Sequence, residues 1–198
     1  MCRKKRKRNT KRWRLINNSP EASDNKMYSK KLTLVAGLPG TGKTTFARAL
    51  AAATGAVHLN SDMVRQKMGK QGQYDPASKE IVYKELLHRT AQHLKNNRAV
   101  VVDATFYKNK MRKPFIELAN KENAPVFWIK IKADENTIKK RVDKKRRYSE
   151  ADFEVYKKIK ATFEPLQLPH LTLWSDRQTV EEMVASAHSF LQSGEKRF

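Results

Sequence analysis

Cysteine is almost missing from this chain: Cys2 is the single one in 198 residues. No intrachain disulfide can form, and a compartment that keeps thiols reduced fits that usage. Long apolar runs are missing as well. The longest are strand-length, which excludes a membrane span, and the basic N-terminus lacks the apolar stretch of a secretory signal. A cytoplasmic location is the expectation. Acidic residues are scarce, 20 against 42 Lys and Arg, for a formal net charge of +22. Residues 1–26 hold ten bases against two acids, so +14 remains on residues 27–198. That excess favours polyanionic or phosphorylated partners, nucleic acid first among them; a basic surface serving solubility alone is the competing explanation.

Residues 1–30 are basic, then rich in Asn, Ser and Pro, with no apolar periodicity. A segment of this kind buries too little surface to offset its ordering entropy, so it is expected to be a disordered extension. Two readings stand for it: an arm that binds nucleic acid (or, in a eukaryote, a nuclear address), or a segment preceding a true start at Met27. Residues 31–198 are expected to form one domain, since a chain of this length buries one good core.

Within that domain, Gly37-Leu38-Pro39-Gly40-Thr41-Gly42-Lys43-Thr44 spell the phosphate-cradling pattern G-x-x-x-x-G-K-[ST]. The β-prone run Leu32–Ala36 enters it, and a helical pattern (Phe46, Leu50, Ala53) leaves it, ending at Gly55. Glycines let backbone N–H groups turn inward onto phosphate oxygens, and the following helix adds its positive end. Lys43 can reach the β- and γ-phosphates of ATP, and the Thr44 hydroxyl can take a place on Mg²⁺. A glycine-rich turn matching by chance would not need strand before and helix after.

Strand-like and helix-like patterns alternate along the rest, without repeats, which predicts a parallel sheet covered on both faces. Strands are expected at 31–36, 57–60, 99–103, 126–131 and 171–174. Helices are expected near 43–54, 62–68, 77–96, 109–121, 134–146, 150–163 and 179–192. The third repeats Tyr83, Leu87, Ala91 and Leu94 along one face; the last repeats Val180, Met183, Val184, Ala187, Phe190 and Leu191. Both stripes read as core. Ligands of such sheets gather at the carboxyl ends of strands, and chemistry-bearing residues follow each one.

Asp62, after the second strand, is placed to accept a proton from a hydroxyl attacking the γ-phosphate. Arg65 shares its helical face and can hold a substrate phosphate in bidentate fashion. Spacing alone leaves Ser61 or Asp62 equally readable as a helix cap. The third strand ends on Asp103, a carboxylate suited to supporting Mg²⁺ directly or through water. Ala104 follows it, not the Glu with which motor ATPases activate water, and this favours a phosphoryl transferase over a hydrolysing machine. Seven bases crowd residues 139–147 before a helix start at Ser149-Glu150-Ala151-Asp152. This predicts a helical lid in which Arg141 and one of Arg146 or Arg147 close on the transferring phosphoryl group; a solvated helix face is the plainer explanation. Histidines 58, 88, 93, 170 and 188 show no metal-ligand spacing, and Trp174-Ser175-Asp176 lies where an adenine edge could be held.

Taken together, these residues resemble the kinase-like family of P-loop domains grouped with AAA-like ATP-binding domains. Its relatives include 5′-hydroxyl polynucleotide kinases, zeta-type toxins and antibiotic phosphotransferases. The match runs over about residues 31–175, through Gly37 to Thr45, Asn60 to Arg65, Tyr74-Asp75-Pro76, Tyr83, Val101 to Phe106, Arg112, Arg141, Ser149 to Asp152 and Phe163 to Leu166. The resemblance implies a three-layer P-loop NTPase fold with a five-stranded parallel sheet of the nucleotide-kinase type. The Asp103 strand should then lie beside the phosphate-loop strand. It also implies ATP and Mg²⁺ as cofactors, Lys43 and the loop residues Gly37 to Thr45 as the nucleotide site, and Thr44 with Asp103 at the metal. By comparison with the polynucleotide kinases, Asp62 looks like the base and Arg65 the substrate-phosphate contact. Those enzymes tend to carry Asn where this chain has Thr105, and Gly where it has Asn96-Asn97. The expected activity is transfer of the γ-phosphoryl group to a hydroxyl, the 5′-hydroxyl of a nucleic acid or nucleotide first. A small metabolite or antibiotic is the alternative acceptor, and a nucleic-acid-binding ATPase without acceptor is the alternative class.

Overall fold

The computed structural model describes residues 30–142 and 153–194. Five strands form one sheet: β1 (Leu32–Ala36), β2 (Val57–Asn60), β3 (Val100–Asp103), β4 (Val126–Lys132) and β5 (His170–Trp174). Their spatial order is β2-β3-β1-β4-β5, every pair parallel. The Asp103 strand does lie beside the phosphate-loop strand, with Val35 opposite Asp103. Near-continuous apolar runs are what a sheet covered on both faces requires.

The two-residue side-chain period divides that core cleanly. Leu32, Leu34, Val100, Val102 and Trp128 pack into one cluster. It is covered by α2 (Ser61–Lys67), α3 (Pro76–Lys95) and α4 (Asn109–Lys121). Val35, Val101, Phe127, Ile129 and Ile131 pack into the other, against α1 (Lys43–Thr54) and α7 (Val180–Gly194). A third, smaller cluster joins α5 (Glu135–Val142) to α6 (Phe153–Ala161) through Ile138, Val142 and Tyr156. Leu38 of the phosphate loop packs against it, so these two helices cover that loop as a lid. Of the helix expected over 134–146, residues 143–146 lie outside the described residues.

Helix signals behave as their chemistry dictates. Gly55 stops α1 in the left-handed region at φ 63°. The Asp75 side chain accepts from Ser78 N at 2.9 Å and Pro76 opens α3, a pre-organised start. Asn97 takes φ 54° before β3, a conformation asparagine tolerates in place of glycine. The α7 stripe is core in the main, with Met183, Ala187 and Leu191 buried.

The fully buried stripe of α3 is Ser78, Val82, Leu86, Thr90 and Leu94, while Tyr83 and Leu87 of the expected stripe pack, partly buried, against the same cluster. Thr90 is fully buried because its hydroxyl donates to Leu86 O at 2.8 Å, so a polar letter hid a core position. In α1 the buried face is Phe46, Ala47, Leu50, Ala51 and Thr54, and Ala53 is exposed. No helix among the described residues is long and apolar enough to cross a membrane.

Candidate active site

The loop between β1 and α1 is shaped by what surrounds it. A Cβ on Gly37 would collide with the Ile131 carbonyl oxygen of β4. Gly42 caps α1 at φ 85° with no side-chain hydrogen bond, and the first turn holds no acid. The cap thus offers the leading amides of α1 no side-chain acceptor of its own, which suits that end of the helix to an anion. Two side chains already point at one carbonyl here. Thr41 Oγ1 and Lys43 Nζ donate to Leu38 O at 2.8 and 2.9 Å, so Lys43 is folded over the loop rather than out into solvent.

At the neighbouring strand ends, Asn60 and Asp103 are paired in register. Asn60 Nδ2 donates to Asp103 Oδ2 at 2.6 Å and lies 3.3 Å from Thr44 Oγ1. His58 Nε2 stands 3.7 Å from the same carboxylate. Burial pushes the Asp103 carboxyl up, but His58, Lys43 and Thr44 together outweigh it and hold the group below the usual carboxylate range. Asp103 is thus an ionised oxygen donor next to a threonine hydroxyl. Hard oxygen ligands of this kind, leaving most positions to water and phosphate, match what Mg²⁺ takes.

Asp62 is not the cap of α2. Asn60 is, its Oδ1 accepting from Met63 N at 2.8 Å. The capping alternative for Ser61 and Asp62 is thereby removed. Asp62 and Arg65 line the same cleft as Lys43 and Thr44, a cavity of about 760 Å³. Arg65 is only 5% exposed. Its Nη1 donates to Gln73 O, and its guanidinium lies 4.5 Å over the Tyr74 ring.

The segment after β3 forms the next wall. Phe106 takes φ 47° although fully buried, a conformation an aromatic residue adopts only where its surroundings impose it. Edge-on contacts with Tyr83, Phe115 and Trp128 do so. Tyr83 Oη accepts from Phe106 N at 3.1 Å and lies 3.3 Å from Thr105 Oγ1. Burial pushes the Tyr83 hydroxyl up to about 12. Tyr83, read from sequence as core, therefore carries a hydroxyl that shapes the cleft beside Thr105. Arg112, 3% exposed, donates to Phe106 O at 2.7 Å, Pro165 O at 2.9 Å and Glu164 O at 2.6 Å. It ties this wall to the segment leaving α6.

On the opposite side, Arg141 of α5 donates through Nη1 to Ser175 Oγ at 2.7 Å and through Nη2 to Ser175 O at 3.1 Å. Ser175 Oγ in turn donates to Thr41 O at 2.8 Å. Lid, β5 loop and phosphate loop meet at one serine. Trp174 is flanked by Arg177 at 4.1 Å and Lys132 at 4.7 Å, while Ser175, Gln178 and Val180 line this end of the cleft. Arg146, Arg147 and Ser149 to Asp152 lie outside the described residues. Sequence reasoning passed over Asn60, Lys79, Tyr83 and Tyr107 as site residues. Asn60 and Tyr83 did carry a signal, since both lie in the ordered set of residues on which the resemblance rests.

Comparisons with known proteins bear on the fold. Residues 32–166 match the model of the AAA domain family. An uncharacterized protein of Mycobacterium tuberculosis is 28% identical over 124 residues, covering 57% of this chain and 25% of the relative. The chain spans about a quarter of that relative's length. Three solved structures share the fold. The Mycobacterium tuberculosis APS kinase CysC, in complex with AMPPNP and APS, matches with TM-score 0.67 at 16% identity, over 83% of this chain and 99% of that one. A gluconokinase of Sinorhizobium meliloti matches with TM-score 0.65 at 16% identity, over 85% and 96%. A sugar kinase of Janibacter sp. HTCC2649 matches with TM-score 0.64 at 18% identity, over 82% and 95%. The chain belongs to the AAA domain family and has the fold of the P-loop kinases.

Proposed function

We propose that the protein is an ATP-dependent kinase that moves the γ-phosphoryl group to an alcohol. One observation carries this reading: Asp62 lines the same cleft as Lys43 and Thr44, and it is not occupied in capping its helix. A carboxylate facing a phosphate loop is what an incoming hydroxyl needs, because it can take the proton as the oxygen attacks. AMPPNP in the structure of a neighbour with this fold supports ATP as donor.

In this account the loop from Gly37 to Thr45 wraps the phosphates, and Lys43 exchanges Leu38 O for a phosphate oxygen. Thr44 and Asp103 would hold Mg²⁺, which would offset the charge of the phosphates. Asp62 takes the acceptor's proton. Arg65 positions the acceptor. Arg141, with Arg146 as the second lid cation, meets the charge that develops on the transferring group. Most of the work is positioning and fixed electrostatics.

The acceptor we favour is the 5′-hydroxyl of a nucleic acid or nucleotide, on the strength of the +14 carried by residues 27–198. A small-molecule acceptor is supported by a different observation: Thr105, where the polynucleotide kinases tend to carry Asn, lines the same cleft as Asp62 with Tyr83 against it. We place it in the cytoplasm, a reducing compartment that fits a chain with a single cysteine. The test is γ-labelled ATP incubated with a hydroxyl-ended oligonucleotide or with a metabolite pool. Label on an acceptor supports the kinase; label released only as free phosphate supports an ATPase instead.

A further inference from the structure

Ser175 stands between the lid and the phosphate loop and is fixed from both sides. Its amide donates to Lys132 O at 3.0 Å, just past the point where the pairing of β4 with β5 ends at Lys132 and Trp174. The chain around it is tied back by Gln178, whose Oε1 accepts from Trp174 N at 3.0 Å. A hydroxyl has one proton to give and lone pairs to receive. Ser175 Oγ gives its proton to Thr41 O at 2.8 Å and receives Arg141 Nη1 at 2.7 Å, while its carbonyl receives Arg141 Nη2 at 3.1 Å. Glycine at position 42 makes room for this. A Cβ there would lie 3.2 Å from Ser175 Oγ and 3.6 Å from Arg141 Nη1, so serine and guanidinium sit directly over the residue that caps α1. Among the described residues no carboxylate pairs with Arg141. A neutral serine therefore fixes its place without cancelling its charge.

We propose that Ser175 is a positioning residue for Arg141: it holds the guanidinium at the phosphate loop, so that the lid arginine meets the terminal phosphate of the nucleotide. This rests on the reading of Arg141 as the lid cation of a kinase site. A long side chain loses rotamer freedom when it closes on an anion, and holding it beforehand removes that cost from the binding step. Two N–H groups of the fork go to Ser175; an arginine has others, and these serve an anion in the cleft that Arg141 lines. A carboxylate in the serine's place would hold the fork as firmly but neutralise it. The bond to Thr41 O sets the arginine and the loop in one frame.

The test measures the affinity of the full chain for AMPPNP and for ADP, each with Mg²⁺, by calorimetry. The variants are Ser175→Ala, Ser175→Thr, Arg141→Ala, the double variant Ser175→Ala with Arg141→Ala, and Ser186→Ala as control. Ser186 is exposed on α7 and bonds within its own helix, to Glu182 O at 2.9 Å. AMPPNP carries the terminal phosphate that ADP lacks. Ser175→Ala should weaken AMPPNP about tenfold and ADP by less than about twofold. Ser175→Thr keeps the hydroxyl and should recover most of the loss, and Ser186→Ala should match the wild type. Once Arg141 is alanine, removing the Ser175 hydroxyl should change AMPPNP affinity by less than about twofold, because nothing is left for it to position. Unfolding midpoints check that each variant folds. Equal losses for AMPPNP and ADP would make Ser175 a brace for the loop alone, and full additivity of the two substitutions would mean that it acts apart from Arg141; either result overturns the proposal. Transfer from γ-labelled ATP keeps the two readings apart. A selective, Arg141-dependent loss with no label reaching any alcohol would support the positioning role and end the kinase reading. Label transfer by Ser175→Ala at the wild-type kcat/KM for ATP would overturn the positioning role and leave the kinase standing.

Discussion

The Asn60 amide donates to the Asp103 carboxylate at 2.6 Å while its carbonyl oxygen caps α2 through Met63 N. One buried side chain thus fixes the proposed metal-binding carboxylate and the start of the helix that carries Asp62. Asn60→Ala should lose both bonds and leave Asp103 with fewer partners. A stability loss of about 1–3 kcal/mol is expected, visible as a lower midpoint in urea unfolding. Mg²⁺-dependent ATP binding should weaken in the same variant, and unchanged stability would mean the two bonds are not maintained in solution.

Asp62→Asn keeps the shape of the side chain and removes its basicity. Phosphoryl transfer should fall by about 10²-fold or more, while ATP affinity, read by fluorescent-nucleotide displacement, stays near the wild-type value. Loss of ATP binding in this variant would show that Asp62 serves the nucleotide rather than the acceptor.

Tyr83 gives a signed pH prediction. Its hydroxyl is raised to about 12 in the fold, against about 10 in an unfolded chain. Below pH 10 both states hold the proton and the group is neutral in the balance. As pH climbs from about 10 to about 12 the unfolded state releases its proton first, so stability falls across that window. The loss is bounded at roughly 3 kcal/mol. Tyr83→Phe should unfold less steeply in alkali over that range, although near neutral pH it should be weaker by about 1 kcal/mol for the bond from Phe106 N. Parallel alkaline slopes for the two proteins would contradict the assignment.

Much of this site was legible before the fold was known. The apolar run ending in Asp103 announces a strand covered on both faces, and the glycine spacing before Lys43 admits little besides a phosphate loop. Other parts were hidden for physical reasons. Periodicity counts Tyr83 as apolar and cannot see that its hydroxyl reaches Thr105 and Phe106 at a separation of more than 20 residues. It counts Thr90 as polar, although a bond to its own helix lets it be buried. Lys79 and Tyr107 lie on α3 and after β3, and only packing brings them beside Arg65.

Arg141 joins the lid to the β5 loop through both terminal nitrogens on Ser175. Arg141→Ala should lower kcat/KM for ATP by about 10²-fold. Arg141→Lys should recover little of it, because one ammonium cannot span the serine hydroxyl and carbonyl as the planar fork does. Steady-state kinetics on the two variants decides this, and full rescue by lysine would reduce the arginine to a point charge.

In the proposed reaction the γ-phosphoryl group lies between Lys43 and Asp62. A crystal structure with a non-hydrolysable ATP analogue and Mg²⁺ measures this directly. The terminal phosphate is expected in the loop, with the Asp62 carboxylate facing it and space between them for one alcohol oxygen. A terminal phosphate directed away from Asp62, or that carboxylate closed against a neighbouring side chain with no such space, would contradict it.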